Sequence, residues 1–243
     1  MLNTQKSRII DTSISSNNVC LCTKPQNCPT EGIINHSFCG KYADYLKAIT
    51  YFNDVVPKIF IDVSFSNFVS NSDILKIALK KSRYFVENRL WQKGNGIIMH
   101  GGYGTGKTRL GYTILKEIAI MGGIIGVIDV LRDLETFESA DKAIKRTMKS
   151  DIIFIDDLGA KDYKWVEEKI RIVIDEVNRN QKSLIISTNL NPKELINSLE
   201  QRTSSRLIEI VPKQGIIYLG EEDYRIKKRE EKEKAWQLNQ SLI

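Results

Sequence analysis

Histidine is nearly absent from this chain of 243 residues, with two copies, and proline is scarce, with five. A catalytic scheme built on several histidines is therefore excluded, and so is a proline-rich disordered chain. Long apolar runs are missing. None approaches the ~18 residues that a membrane span needs. The opening ten residues, MLNTQKSRII, are polar and carry no apolar core of an export signal. A cytoplasmic protein with no membrane partner is the expectation. Acidic excess is absent too. Lys and Arg total 36 against 30 for Asp and Glu, a net charge of +6. That balance permits a nucleic-acid partner without demanding one.

Cysteine is absent after position 39. All four copies, Cys20, Cys22, Cys28 and Cys39, fall in one short window together with His36. In a reducing compartment such clustering points to a metal rather than to disulfides. Five candidate ligands for a four-coordinate Zn2+ are present, although the spacing is not that of a paired finger. Unliganded thiols and an iron–sulfur or redox role are the alternatives.

What is present is an alternation. Apolar runs read as buried strands at Ile97–Met99, Ile124–Val130, Ile152–Ile155 and Leu184–Ser187. Helical segments lie between and after them, at Thr108–Met121, Leu131–Met148, Tyr163–Asn178 and Pro192–Ser204. This predicts an α/β fold, a parallel sheet covered by helices on both faces. A helix capped by Asn71 or Ser72 precedes it, with Ile74, Ile77, Ala78 and Phe85 at helical spacing. A short helix is expected over Tyr42–Phe52, and Phe60, Phe65 and Phe68 can anchor the following link to a core. Leu207–Val211 and Ile216–Leu219 read as a closing hairpin, and a mixed-charge helix runs from about Glu221 to Gln237. Three regions are expected: 1–52 with the Cys/His cluster, 53–225 as the α/β domain, and 226–243 as the charged helix.

Between the first strand and its helix, GGYGTGKT (Gly101, Gly102, Tyr103, Gly104, Thr105, Gly106, Lys107, Thr108) fits the P-loop pattern G-x-x-x-x-G-K-[ST]. Glycines let successive N–H groups point at phosphates, and the helix start adds its positive dipole end. Lys107 would reach the β- and γ-phosphates and Thr108 would offer a hydroxyl to Mg2+. His100, just before the loop, reads as a strand-end residue. The strand Ile152–Ile155 runs into Asp156 and Asp157, where the strand ends of an open parallel sheet face the ligand crevice. Asp156 is the candidate Mg2+ carboxylate and Asp157 the candidate for polarising a water. Asn189 follows another strand end and could bond the γ-phosphate or that water. Lys142, Lys145, Arg146 and Lys149 form a basic stripe at helical spacing, a candidate track for single-stranded DNA.

With these residues in place, the chain resembles the AAA+ ATPases of the DnaC-type helicase-loader and IstB-type transposition-helper group. PKIFIDVSFSNF, GGYGTGKTRL, IIFIDDLG, IISTNL, QRTSSRL and EEDYR carry the resemblance, from about Pro57 to Arg225. It implies the AAA+ strand order, ATP with Mg2+ as cofactors, and assembly into a ring or open spiral. It implies Arg206 as a trans-acting finger, with Arg202 as the alternative, and Arg225 as a cis sensor of the γ-phosphate. It implies a replicative helicase as partner, or a transposase in the alternative, and single-stranded DNA as a ligand. Asp157 stands where many AAA+ proteins carry Glu, which points to slow turnover. A non-hydrolysing ATP-gated adaptor is the reading from another class, and a small-molecule P-loop kinase a third.

Overall fold

The computed structural model describes residues 33–34, 37–38, 40–160 and 164–240. Cys20, Cys22, Cys28, His36 and Cys39 lie outside the described residues. The chain divides into two units, Met1–Ala48 and Ile49–Ile243. In the first, β1 (Ile33–Ile34) pairs antiparallel with β2 (Ser37–Phe38). Helix α1 (Gly40–Val55) starts there and ends in the second unit, where Phe52 is fully buried.

The second unit is built on five parallel strands: β3 (Ile97–His100), β4 (Ile125–Asp129), β5 (Ile152–Leu158), β6 (Ser183–Thr188) and β7 (Ile216–Tyr218). Their spatial order is β4-β5-β6-β3-β7. Strands β3, β5 and β6 are almost wholly buried, which is why the sequence shows continuous rather than alternating apolar runs. Side chains still alternate between two cores. Ile97, Met99, Ile152, Phe154 and Ile185 face one core with Leu75, Phe85, Leu110 and Tyr112. Ile98, Ile153, Ile155, Leu184 and Ile186 face the other with Ile144, Ile170, Ile174 and Leu207. Helices α2 (Asp73–Glu87) and α3 (Lys107–Ile120) thus cover one face. Helices α5 (Phe137–Thr147), α6 (Lys164–Arg179), α7 (Pro192–Ser198) and α8 (Gln201–Ile210) cover the other. A short α4 (Val130–Asp133) and the terminal α9 (Tyr224–Gln240) complete the set. No described helix is long and apolar enough to cross a membrane.

Four sequence expectations need correction. The closing hairpin is not formed. Leu207–Ile210 belongs to α8, which buries Thr203, Ser204, Leu207 and Ile210 at helical spacing. Ile216–Tyr218 pairs parallel with β3 instead. The β-branched run IEIV looked like a strand, but tertiary burial of one helical stripe overrides propensity. The single helix over Pro192–Ser204 is two helices, because Leu199 takes an extended backbone conformation. The single helix over Leu131–Met148 breaks at Leu134, and Thr136 starts α5 with a reciprocal capping box to Ser139. In α2, capped by Ser72, Ile74 and Ile77 point outward at 41% and 57% exposure, while Leu75, Ala78, Phe85 and Val86 are buried.

Candidate functional site

The strands β3, β5 and β6 are adjacent, so their C-terminal ends bring three separated sequence segments together. The turn after β3 is the glycine loop. Gly104 and Gly106 adopt positive φ, 70° and 96°, which a side chain would resist. A Cβ on Gly104 would also overlap the Asp223 carboxylate. The loop is tied down locally, with Thr105 Oγ1 donating to the Gly102 carbonyl at 3.1 Å.

Lys107, the first residue of α3, is 5% exposed. Its ammonium donates to the carbonyls of Gly101 (2.8 Å) and Gly102 (2.6 Å) and to Asn189 Oδ1 (2.8 Å). Lys107 and Asn189, 82 positions apart, therefore meet directly. Burial pushes the Lys107 pKa down, opposed by Asp157, Glu221 and Asp156.

Asp156, on β5, is 6% exposed. Its Oδ1 accepts from Thr108 Oγ1 at 3.0 Å and from Ser187 Oγ at 2.5 Å. Burial drives its pKa up to about 6, with the Ser187 and Thr108 hydroxyls opposing and Asp157 adding to the rise. Two hydroxyls do not neutralise a buried carboxylate. A divalent cation would. The donor set, a carboxylate beside a hydroxyl, is hard oxygen and fits Mg2+. Among the described residues no group of three His, Cys, Asp or Glu side chains forms a metal cluster.

Asp157 is held differently. It has φ 58°, the left-handed region, at an irregularity where the β5–β6 register shifts. Its N–H donates to Ser187 Oγ at 2.9 Å. Its pKa is raised by burial and pulled back first by Lys107. Ser187 thus ties both acids to β6. Sequence reasoning missed it; the one signal was a lone hydroxyl in the apolar run LIIS.

Arg225 is exposed, and its charge acts on both Lys107 and Asp157. It arrives because the chain after β7 folds back over the loop. The Gly102 N–H donates to the Gly220 carbonyl at 2.9 Å, and the Tyr224 N–H to the Gly104 carbonyl at 3.2 Å. Glu221 and Asp223 come with it, two acids whose place beside the loop no local pattern announces. His100 is the last residue of β3, packed at 5.1 Å against the Tyr218 ring, with its pKa lowered by burial.

Arg202 and Arg206 sit apart from this cluster, on α8. Arg202 is exposed. The Arg206 guanidinium lies on the Asp175 carboxylate of α6, and Arg171 Nη1 stands 3.7 Å from that carboxylate. On α5, Lys142 pairs with Glu138 (2.7 Å), and Arg146 with Asp133 (3.2 Å) and the Val127 carbonyl (3.0 Å). Lys145 is exposed on α5, but Lys149 is exposed in the turn after α5 ends at Thr147, so the expected stripe does not run along one helix face.

In strand order 5-1-4-3-2, counted from β3, the sheet has the AAA+ arrangement. A crystal structure of DnaI superposes with TM-score 0.58 at 20% identity, covering 69% of this chain and 93% of that one. One of the DnaC helicase loader gives 0.56 at 24%, covering 67% and 99%. The replication initiator DnaA bound to AMPPCP and single-stranded DNA gives 0.51 at 17%, covering 68% and 50%. At these identities the likeness is one of fold. No curated protein matches the chain in sequence. The family model described as IstB-like ATP binding protein matches residues 55–232, well over half of the chain. By that match, the chain belongs to the IstB-like ATP-binding proteins.

Proposed function

We propose that the chain is an ATP- and Mg2+-dependent AAA+ ATPase that loads a replicative helicase, binding single-stranded DNA and assembling into a ring or spiral. One observation carries the ATPase reading: Lys107 bonds Asn189 while Thr108 bonds Asp156, so the loop lysine, the helix hydroxyl and two strand-end groups share one crevice. The Gly101 and Gly102 carbonyls and Asn189 Oδ1 are the acceptors that phosphate oxygens would replace around Lys107. The residues from Gly101 to Thr108 would cradle the phosphates, with Arg225 reaching them from the far side. Mg2+, held through Thr108 and Asp156, would supply charge stabilisation on the β- and γ-phosphates. Asp157 would accept a hydrogen bond from the attacking water, and Asn189 would orient it.

Arg206 is the proposed finger to a neighbouring chain's γ-phosphate, and its pairing with Asp175 would orient the guanidinium. The exposure of Arg202 favours a second assignment on the same helix. The likeness to DnaI and DnaC supports a helicase as partner; the family model supports a transposase as the alternative. Lys145 and Lys149 are the residues proposed to touch DNA phosphates. The test is binding of Mg-ATP by the purified chain, then turnover of wild type beside Lys107→Ala and Asp157→Asn. Wild type should bind and hydrolyse, Lys107→Ala should lose binding, and Asp157→Asn should bind without turnover. Equal affinity of Lys107→Ala and wild type would overturn the reading. Mixing with purified helicase or transposase separates the two partners.

A further inference from the structure

Between Ile155 and Leu158 the β5–β6 ladder shifts register, and Asp157 lies in that gap with φ 58°. A left-handed conformation costs a residue that carries a Cβ, and it persists where the surroundings over-determine it. Two fully buried hydroxyls on β6 do so here. Ser187 Oγ accepts the Asp157 N–H at 2.9 Å. Thr188 Oγ1 donates to the Leu158 carbonyl at 2.6 Å and accepts the Leu190 N–H at 3.1 Å. The bonds to β5 bracket the pair Asp157 and Leu158, one at its amide end and one at its carbonyl end. Side chains thus supply the pairing that the broken ladder withholds.

Ser187 does more. Its Oγ also donates to Asp156 Oδ1 at 2.5 Å. A backbone N–H can only donate, so the Ser187 oxygen is the acceptor towards Asp157 and its single proton is committed to Asp156. The hydroxyl therefore has one orientation, fixed from two sides. Asp156 in turn accepts from Thr108 at 3.0 Å. A continuous line, Thr108 Oγ1 to Asp156 Oδ1 to Ser187 Oγ to the Asp157 N–H, runs from the first turn of α3 to the backbone of Asp157. The residue after Thr188 is Asn189, which bonds Lys107. Three consecutive residues at the end of β6 thereby grip three different parts of the site.

We propose that Ser187 and Thr188 are positioning residues that set the direction of the Asp157 carboxylate. They act through the Asp157 and Leu158 backbone, not on the nucleotide. Without the Ser187 hydroxyl the Asp157 amide loses its bond to β6, the backbone relaxes from φ 58°, and the carboxylate turns away from its place. The proposal rests on the role given to Asp157 in the proposed function and names what holds that residue in position.

The test uses the full chain as wild type, Ser187→Ala and Thr188→Val. In the nucleotide-free protein, hydrogen exchange of the Asp157 amide, read by NMR, should quicken about tenfold or more in Ser187→Ala, with the amides of Ile153 and Ile155 within about twofold of wild type. With Mg-ATP, Ser187→Ala should keep KM within about twofold and lose about tenfold or more in kcat, because the aim of one carboxylate is all that changes. Thr188→Val keeps the side chain's shape. It should show the same split, with kcat down about threefold or more, and it carries the test if Ser187→Ala does not fold. Wild-type kcat in the variants, a KM that rises as kcat falls, or unchanged exchange at Asp157 overturns the positioning role and leaves the ATPase reading standing. A wild type that binds Mg-ATP yet never turns it over overturns both.

Discussion

Asp156 and Asp157 are neighbours in sequence with opposite local problems. Asp156 is buried, and burial raises its pKa from 3.8 to about 6. Below about pH 4 the carboxyl is neutral in both folded and unfolded chains, so nothing is lost. Between about 4 and 6 the unfolded chain ionises first, and stability falls as pH rises. Above that range the penalty is constant, on the order of 2–3 kcal/mol. In a chelator at pH 7.5, Asp156→Asn should therefore be more stable than wild type by about that amount, with the gain gone near pH 4. Urea midpoints at the two pH values measure it. The same midpoint shift at both values would contradict burial of the charge as the cause. Asp157 has its cost in the backbone, at φ 58°. Asp157→Gly should leave the urea midpoint unchanged or raise stability by up to ~1 kcal/mol, because glycine adopts that region freely. Turnover should nevertheless fall by about a hundredfold or more, since no carboxylate then faces the water. A glycine variant that hydrolyses ATP at the wild-type rate would remove Asp157 from the chemistry.

At the scale of elements, close packing of α3 on β5 is what positions Thr108 against Asp156. Gly111 makes that approach feasible: a Cβ there would stand 2.5 Å from Phe154 Cζ, a ring already packed edge-on against Tyr112. Gly111→Ala should cost about 1–3 kcal/mol in urea unfolding, as overpacked cores do. The α6–α8 tie gives a second contrast. Arg206→Ala takes the close guanidinium from Asp175, leaving it Arg171 at 3.7 Å, and should lower the melting temperature, whereas Arg202→Ala removes an exposed side chain and should not. Identical melts for the two variants would contradict the pairing seen with Asp175. The order of strands and helices was legible because buried parallel strands write continuous apolar runs, and the P-loop writes a fixed spacing. The end of the sheet was not. IEIV has strand composition but its first three residues lie in α8, since what decides it is the stripe Thr203, Leu207 and Ile210 against the sheet. Likewise, Lys107 and Thr108 could be named from the loop's fixed spacing, and Asp156 and Asn189 from strand ends. Ser187, Asp175, Glu221 and Asp223 could not, because their roles come from contacts between segments far apart in sequence.

For the whole molecule, the cysteine window and the unit matched by the ATP-binding family make separable claims. If Cys20, Cys22, Cys28, His36 and Cys39 supply a structural site, the purified chain should carry about one zinc ion, and less than ~0.3 per chain would argue against it. The ATPase account does not depend on that result. It depends on a nucleotide held by one chain and a charge supplied by the next. The most direct measurement is ATP turnover per chain, with Mg2+, over a wide range of protein concentration. The account predicts a per-chain rate that climbs steeply with concentration and then levels off. A rate per chain that is the same at every dilution, or no turnover at all, would contradict it.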